Sequence, residues 1–175
     1  MRVPMDSIVN KVAESDLLTI DLEELHRPGE RVLFDIRSWL YEEQILKEKD
    51  FREKIKQHDW SAYQDRFVAV TCTADAIVPT WAYMLLASAL TPFARKVVFG
   101  GLEKLEEELY FDELHALDLS LYKDRRVVVK GCSKVSVPTA AYVRLTSMLR
   151  PIVKSLMYGE PCSTVPVYKR KEEKQ

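Results

Sequence analysis

The sequence predicts an α/β protein with a doubly wound, mostly parallel sheet. Three observations carry that prediction: a gapless internal repeat, two different apolar periods inside each copy, and prolines and glycines that punctuate both copies at the same places. Residues 63–100 align with residues 122–159 at a constant shift of 59, so that YQDRFVAV falls on YKDRRVVV and VPTWAYMLLASALTP on VPTAAYVRLTSMLRP. The identical pairs include Asp65/Asp124, Arg66/Arg125, Val78/Val137, Pro79/Pro138, Thr80/Thr139, Tyr83/Tyr142, Leu90/Leu149, Pro92/Pro151 and Gly100/Gly159.

Within each copy the elements follow in order. A short β-branched run, Phe67–Thr71 or Arg126–Lys130, reads as a strand. A loop leads to Val-Pro-Thr and an apolar stretch that stops just before a second proline. The first proline suits the first turn of a helix, where its missing N–H is not needed, and the second ends the helix. A second strand follows, Lys96–Phe99 or Lys154–Tyr158, closed by Gly100 or Gly159. Strand, helix, strand is a parallel crossover, and such crossovers are right-handed. Between the copies, Leu102, Leu105, Leu109, Leu114 and Leu117 sit among acidic residues with the spacing of an amphipathic helix. The duplication favours strand order 2-1-3-4, with the first strand of each copy at the centre. The carboxyl ends of those two strands would then flank a topological switch point, where open α/β sheets place ligands.

Residues 1–60 read as an N-terminal α+β layer: Ser7–Leu18 as a helix, a turn at Pro28-Gly29, a strand over Arg31–Ile36 on the sheet edge, and a helix over Phe51–Gln57. Residues 1–168 are expected to form a single α/β domain, followed by a disordered charged tail at 169–175 (KRKEEKQ). A chain of 175 residues with 47% hydrophobic content is long enough for one well-buried core. The formal net charge of −1 gives no reason to expect nucleic acid or an anionic membrane as partner. The start MRVPMDSIVNKVAESD has no basic stretch followed by an apolar one, so the expected location is the cytoplasm. Ile77–Leu90 is the most apolar window, but it is shorter than the ~20 residues a bilayer span needs.

The three cysteines are the first candidates for chemistry. Cys72 follows one central strand, Cys132 the other, and Cys162 the last strand, so all three are predicted on one rim. In one reading they are thiolate ligands of zinc or an iron-sulfur cluster, with Asp75, Glu160, a histidine or an exogenous group in the fourth position. Soft, charged donors suit both metals, although no pair has CxxC spacing. In a second reading Cys72 and Cys132 cycle between dithiol and disulfide, or one carries a persulfide. The helix N-termini opened by Pro79 and Pro138, together with Lys134, would then lower a thiol pKa. In a third the cysteines are core residues, since a free cysteine packs as a small hydrophobe. The copies diverge here: at the same shift Cys72 falls on Gly131, Thr73 on Cys132 and Glu103 on Cys162.

Other residues carry less. Asp75 is expected chiefly as a helix cap, and Ser133, Ser163 and Thr164 as turn residues. There is no GxSxG elbow and no glycine-rich phosphate loop, and His26, His58 and His115 are dispersed. Trp81 and Tyr83 are expected in the core, the run Glu103–Glu108 on a solvated helix face and His58 at a helix end.

The segments ERVLFDIRSWLYEEQILKEKDFREKIKQHDWSAY, CTADAIVPTWAYMLL, VVVKGCSKVSVP and MYGEPCSTVPVYK resemble an uncharacterised bacterial family, domain of unknown function 2480. The resemblance covers nearly the whole chain. It implies no established activity, and it implies an association with iron-sulfur assembly genes and so a protein partner in that pathway. The expected function is a cysteine-dependent metal or iron-sulfur related protein with its site at the carboxyl ends of the parallel strands. The alternatives are a non-enzymatic adaptor or scaffold, and a thiol redox or persulfide-handling protein. The adaptor reading would be favoured by exposure of Trp39, Leu40 and Tyr41, and the duplication also suggests a homodimer.

Overall fold

The computed structural model describes residues 17–131, 134–160 and 162–171. These residues form strands β1 (Leu17–Asp21), β2 (Arg31–Asp35), β3 (Phe67–Thr71), β4 (Lys96–Phe99), β5 (Arg126–Lys130), β6 (Ser155–Glu160) and β7 (Ser163–Lys169), and helices α1 (Glu48–Gln57), α2 (Thr80–Leu90), α3 (Leu102–Ala116) and α4 (Thr139–Leu149). The chain divides into two compact units. One is Arg27–Asp112; the other joins the described residues up to His26 with those from Glu113 onward. The boundary falls inside α3.

In the first unit β2, β3 and β4 form a parallel three-stranded sheet in that order. Because the chain moves across this sheet in one direction, two right-handed crossovers must put α1 and α2 on the same face. The packing agrees: Phe34, Val68 and Val70 of the sheet are buried with Phe51 of α1 and Ala82, Leu86 and Leu90 of α2. Alternation turns Phe67 and Ala69 to the opposite face, where they join Val98 and the α3 leucines Leu105 and Leu109. Full burial of each such leucine contributes about 1.5–3 kcal/mol. Ion pairs of Arg31 with Glu106 and of Lys96 with Asp112 tie α3 to the two edge strands.

In the second unit the order is β1-β5-β6-β7, parallel except for the antiparallel β6-β7 pair. The residues that match the first copy's core are buried again: Val127 and Val129 for Val68 and Val70, and Ala141, Leu145 and Leu149 for Ala82, Leu86 and Leu90. Aromatic pairs also recur, Tyr83 against Phe99 and Tyr142 against Tyr158.

The α/β class and the largely parallel pairing are as the sequence predicts, but a single sheet ordered 2-1-3-4 does not form. β3 has β2 on one edge and β4 on the other, and β5 has β1 and β6, so neither central strand has an unpaired edge left for the other. Each sheet is crossed in one direction, and the predicted switch point between β3 and β5 is absent. The strand at Arg31–Asp35, the helix ending at Gln57 and the amphipathic helix between the copies are all present. Of the expected helix Ser7–Leu18, residues 7–16 lie outside the described residues, and Leu17 and Leu18 open β1 instead. Of the tail expected to be disordered, Lys169 closes β7 and Arg170 donates its backbone N–H to Lys154 O at 2.9 Å and pairs with Asp124. Residues 172–175 lie outside the described residues.

The repeat extends further than its sequence identity. At shift 59, buried Phe51 of α1 matches buried Tyr110 of α3, and Ile55 matches buried Leu114. Asp59 and Asp118 cap matching 3-10 turns, each accepting from the N–H of a serine two residues on. Asp65 and Asp124 both adopt positive φ, at 59° and 57°, and both donate their N–H to a carbonyl after the crossover helix, Phe93 O and Ile152 O. A second correspondence, at shift 14, relates β1 to β2. Each strand ends in an aspartate, Asp21 or Asp35, that caps a 3-10 turn whose first residue, Leu22 or Ile36, is fully buried.

Candidate functional site at the carboxyl edges of the strands

The repeat places a loop and an aspartate at the carboxyl edge of each sheet, and the two edges carry different chemistry. At the edge of β2-β3-β4, the Asp35 carboxylate accepts from the N–H of Arg37 at 2.9 Å, the N–H of Thr73 at 3.1 Å and the Thr73 hydroxyl at 2.5 Å. Burial pushes the carboxyl up, but the Thr73 hydroxyl, the two backbone N–H groups and the Arg37 charge outweigh it and hold Asp35 below the usual carboxylate range. Its oxygens are occupied in closing the loop. Cys72 is half-buried against the apolar cluster under α2, with Sγ 3.9 Å from Ala74 O. That is the environment of a packing thiol. Asp75 is exposed, and it is not the cap of α2: Pro79 takes the cap position without a side-chain hydrogen bond. A proline at that place fixes the entry φ at −61°, and it leaves no side-chain acceptor for the first N–H groups.

The edge of β1-β5-β6 is a cleft of about 240 Å³ lined by Asp21, Glu23, Lys130, Gly131, Tyr158, Gly159 and Glu160. The Lys130 ammonium lies 3.1 Å from Asp21 and 3.9 Å from Glu160. The Asp21 hydrogen bond, then the charges of Asp21 and Glu160, hold its pKa above the usual lysine range. Asp21 also accepts the N–H of Glu23 at 3.0 Å, and Glu23 accepts the N–H of Lys134 at 2.9 Å, tying the loop before α4 to the turn after β1. Gly131 replaces Cys72 for a steric reason. Its φ is +144°, and a Cβ there would come within 2.9 Å of the Tyr142 hydroxyl and 3.3 Å of Leu22.

The predicted cysteines are divided between the sheets. Cys72 follows β3, whereas Cys162 is exposed in the tight turn between β6 and β7, in the segment just after Glu160. Cys132 and Ser133 lie outside the described residues; in sequence Cys132 directly follows Gly131 of the cleft. Cys72 thus follows a strand of one sheet and Cys162 a strand of the other. Among the described residues no three His, Cys, Asp or Glu side chains are arranged to hold a metal ion. Ser163 and Thr164 open β7, where the Thr164 hydroxyl meets the Met157 sulfur at 3.6 Å. His58 follows α1 and packs among Phe34, Trp39, Trp60 and Tyr63, with Nε2 3.1 Å from the Tyr63 hydroxyl. Leu40 is buried and Trp39 partly so, which leaves Tyr41 alone of those three exposed.

Asp21 and Lys130, which line the cleft, were not singled out by the sequence reading. The signal was present in the recurrence of strand, aspartate and buried aliphatic at shift 14.

A family model described as a protein of unknown function, DUF2480, matches residues 6–170. The chain belongs to the DUF2480 family. No curated protein and no solved structure matches the chain. Among the described residues of this family member no helix is long and apolar enough to cross a membrane.

Proposed function

We propose that this protein is a cysteine-dependent metal or iron-sulfur related protein of the cytoplasm, with its site at the carboxyl edge of β1, β5 and β6. One observation carries the reading: Gly131 and Glu160 line the Asp21–Lys130–Glu160 cleft, and in the sequence Cys132 directly follows Gly131 and Cys162 stands two residues after Glu160. Thiolates from those segments and a carboxylate from Asp21 or Glu160 form a mixed donor set that suits zinc or an iron of a cluster. Cys72 is partly buried against the apolar cluster under α2, the environment of a packing thiol, and this reading leaves it out of the set. In this reading Cys132 and Cys162 supply the thiolates. Lys130 neutralises the carboxylates while no cation is bound, and a metal would displace its ammonium from Asp21.

The test is metal and acid-labile sulfide content of protein purified without oxygen, for the parent chain and for Cys72→Ser, Cys132→Ser and Cys162→Ser. Bound metal in the parent and in Cys72→Ser, with loss of at least 80% in the other two, is the expected pattern. A metal-free parent, or equal loss in all three variants, contradicts it. A metal-free parent whose Cys132 and Cys162 form a disulfide under mild oxidation would instead support the thiol redox reading.

A further inference from the structure

The opposite, amino-terminal edge of the β5-β6-β7 sheet carries a second feature. A groove of about 390 Å³ is lined by Arg126, Lys154, Ser155, Met157, Pro166, Tyr168 and Lys169, all from one unit. We propose that this groove binds a small molecule bearing a phosphate or diphosphate group.

Charge is the first argument. Three cations converge on the groove and no carboxylate lines it, in a chain whose formal net charge is −1. Arg126, Lys154 and Lys169 take part in no ion pair among the described residues, whereas the neighbouring Asp124 is matched by Arg170. Arg150 adds to the field, lying 5.0 Å from the centre of the Tyr168 ring. Unpaired like charges on neighbouring strands repel one another, and a bound dianion removes that cost.

Geometry is the second argument. Arg126 pairs in register with Ser155, and Ser155 with Lys169, so the three strands bring these residues into one row across the sheet. Alternation puts Arg126, Ser155 and Met157 on the same face, opposite to buried Val127 and Leu156. The Ser155 hydroxyl and the Arg126 guanidinium supply hydrogen-bond donors for phosphate oxygens, and the guanidinium fork matches them in pairs. Met157, Pro166 and Tyr168 offer apolar surface beside the cations, which suits the organic part of a phosphorylated metabolite better than bare phosphate. The β-bulge between Leu156 and Met157, which breaks the register of β6 with β7, lies within this lining.

The third argument comes from the repeat. At shift 59 the position of Arg126 is held in the first copy by Phe67, which is buried under Leu105 and Leu109 of α3. A position that is core in one copy is an exposed cation in the other. Scaffold maintenance alone does not ask for arginine there.

The probe is inorganic pyrophosphate, titrated into the full chain and followed by amide chemical shifts and calorimetry at low salt. Saturable one-to-one binding is expected, with shifts concentrated at Arg126, Lys154–Met157 and Val167–Lys169. Affinity should drop at least tenfold in the Arg126→Gln/Lys154→Gln double variant, whose neutral side chains keep their length and whose melting temperature serves as the folding control. Raising salt from 50 to 200 mM should weaken binding, as displaced counterions require. The proposal is overturned by the absence of saturation, by unchanged affinity in the folded double variant, or by shifts centred elsewhere. Tighter binding of a glutamate-rich peptide than of pyrophosphate would overturn it too, by making the groove an acidic-protein surface.

Discussion

At the scale of single residues, the repeated aspartates show how one backbone device serves two ends. Asp35 spends its carboxylate on Arg37 and Thr73, so its charge stabilises a closed loop. Its pKa is lowered in the folded state, which means that the ionised form favours folding above the ordinary carboxylate pKa of ~3.9. This contribution is lost as pH falls through the lower, folded-state value. Asp35→Asn should therefore lower the urea midpoint at pH 7, and the gap from the parent should shrink when both are measured near pH 3. A gap of the same size at both values would show that the charge plays no part. Asp21, by contrast, accepts from the N–H of Glu23 and pairs with the Lys130 ammonium, and the sequence has Cys132 where Thr73 stands in the other copy. That difference was legible in the sequence as a break in the repeat. Its meaning was not, since the partner aspartates come from strands more than 30 residues upstream of the loops they meet.

At the scale of elements, local pattern was a sufficient guide wherever a segment's own period decides its state. Phe67–Thr71, Lys96–Phe99 and Arg126–Lys130 form strands with the boundaries their β-branched runs predict, and the crossover helices stop before Pro92 and Pro151. The strands that escaped are β1, whose partner β5 is more than 100 residues away, and β7. β1 begins after a polar segment and is only five residues long, and β7 is an edge strand that contains Pro166, with Val165 and Val167 exposed. Nothing in their own residues says which neighbour they will pair with. The crossover helices are core elements in both copies, and Leu86 and Leu145 occupy the same fully buried place. Replacing either by alanine should cost about 2–5 kcal/mol, the transfer term plus a cavity, read from denaturant unfolding. A cost under 1 kcal/mol at Leu145 would mean that the second copy is not packed as the first is.

At the scale of the molecule, the chain is a duplicated unit in which one copy interrupts the other. β1 leaves the second unit before Arg27, and the rest of that unit resumes within α3. The duplication itself could be read from the sequence, because helix and strand periods stay in register over 38 residues of each copy. The separation into two sheets could not, because parallel pairing leaves no local signature of strand order. The site we propose is the cleft with Asp21, Lys130 and Glu160, whose lining residues Gly131 and Glu160 stand one and two residues before Cys132 and Cys162 in the sequence. X-ray absorption at the edge of whichever metal copurifies without oxygen tests this account most directly. For a mononuclear zinc site the account predicts two sulfur donors at about 2.3 Å together with oxygen or nitrogen donors near 2.0–2.2 Å. For a cluster, it predicts a spectrum unchanged in Cys72→Ser and abolished in Cys132→Ser. Three protein sulfur donors that include Cys72, or a folded protein with no metal, would contradict it.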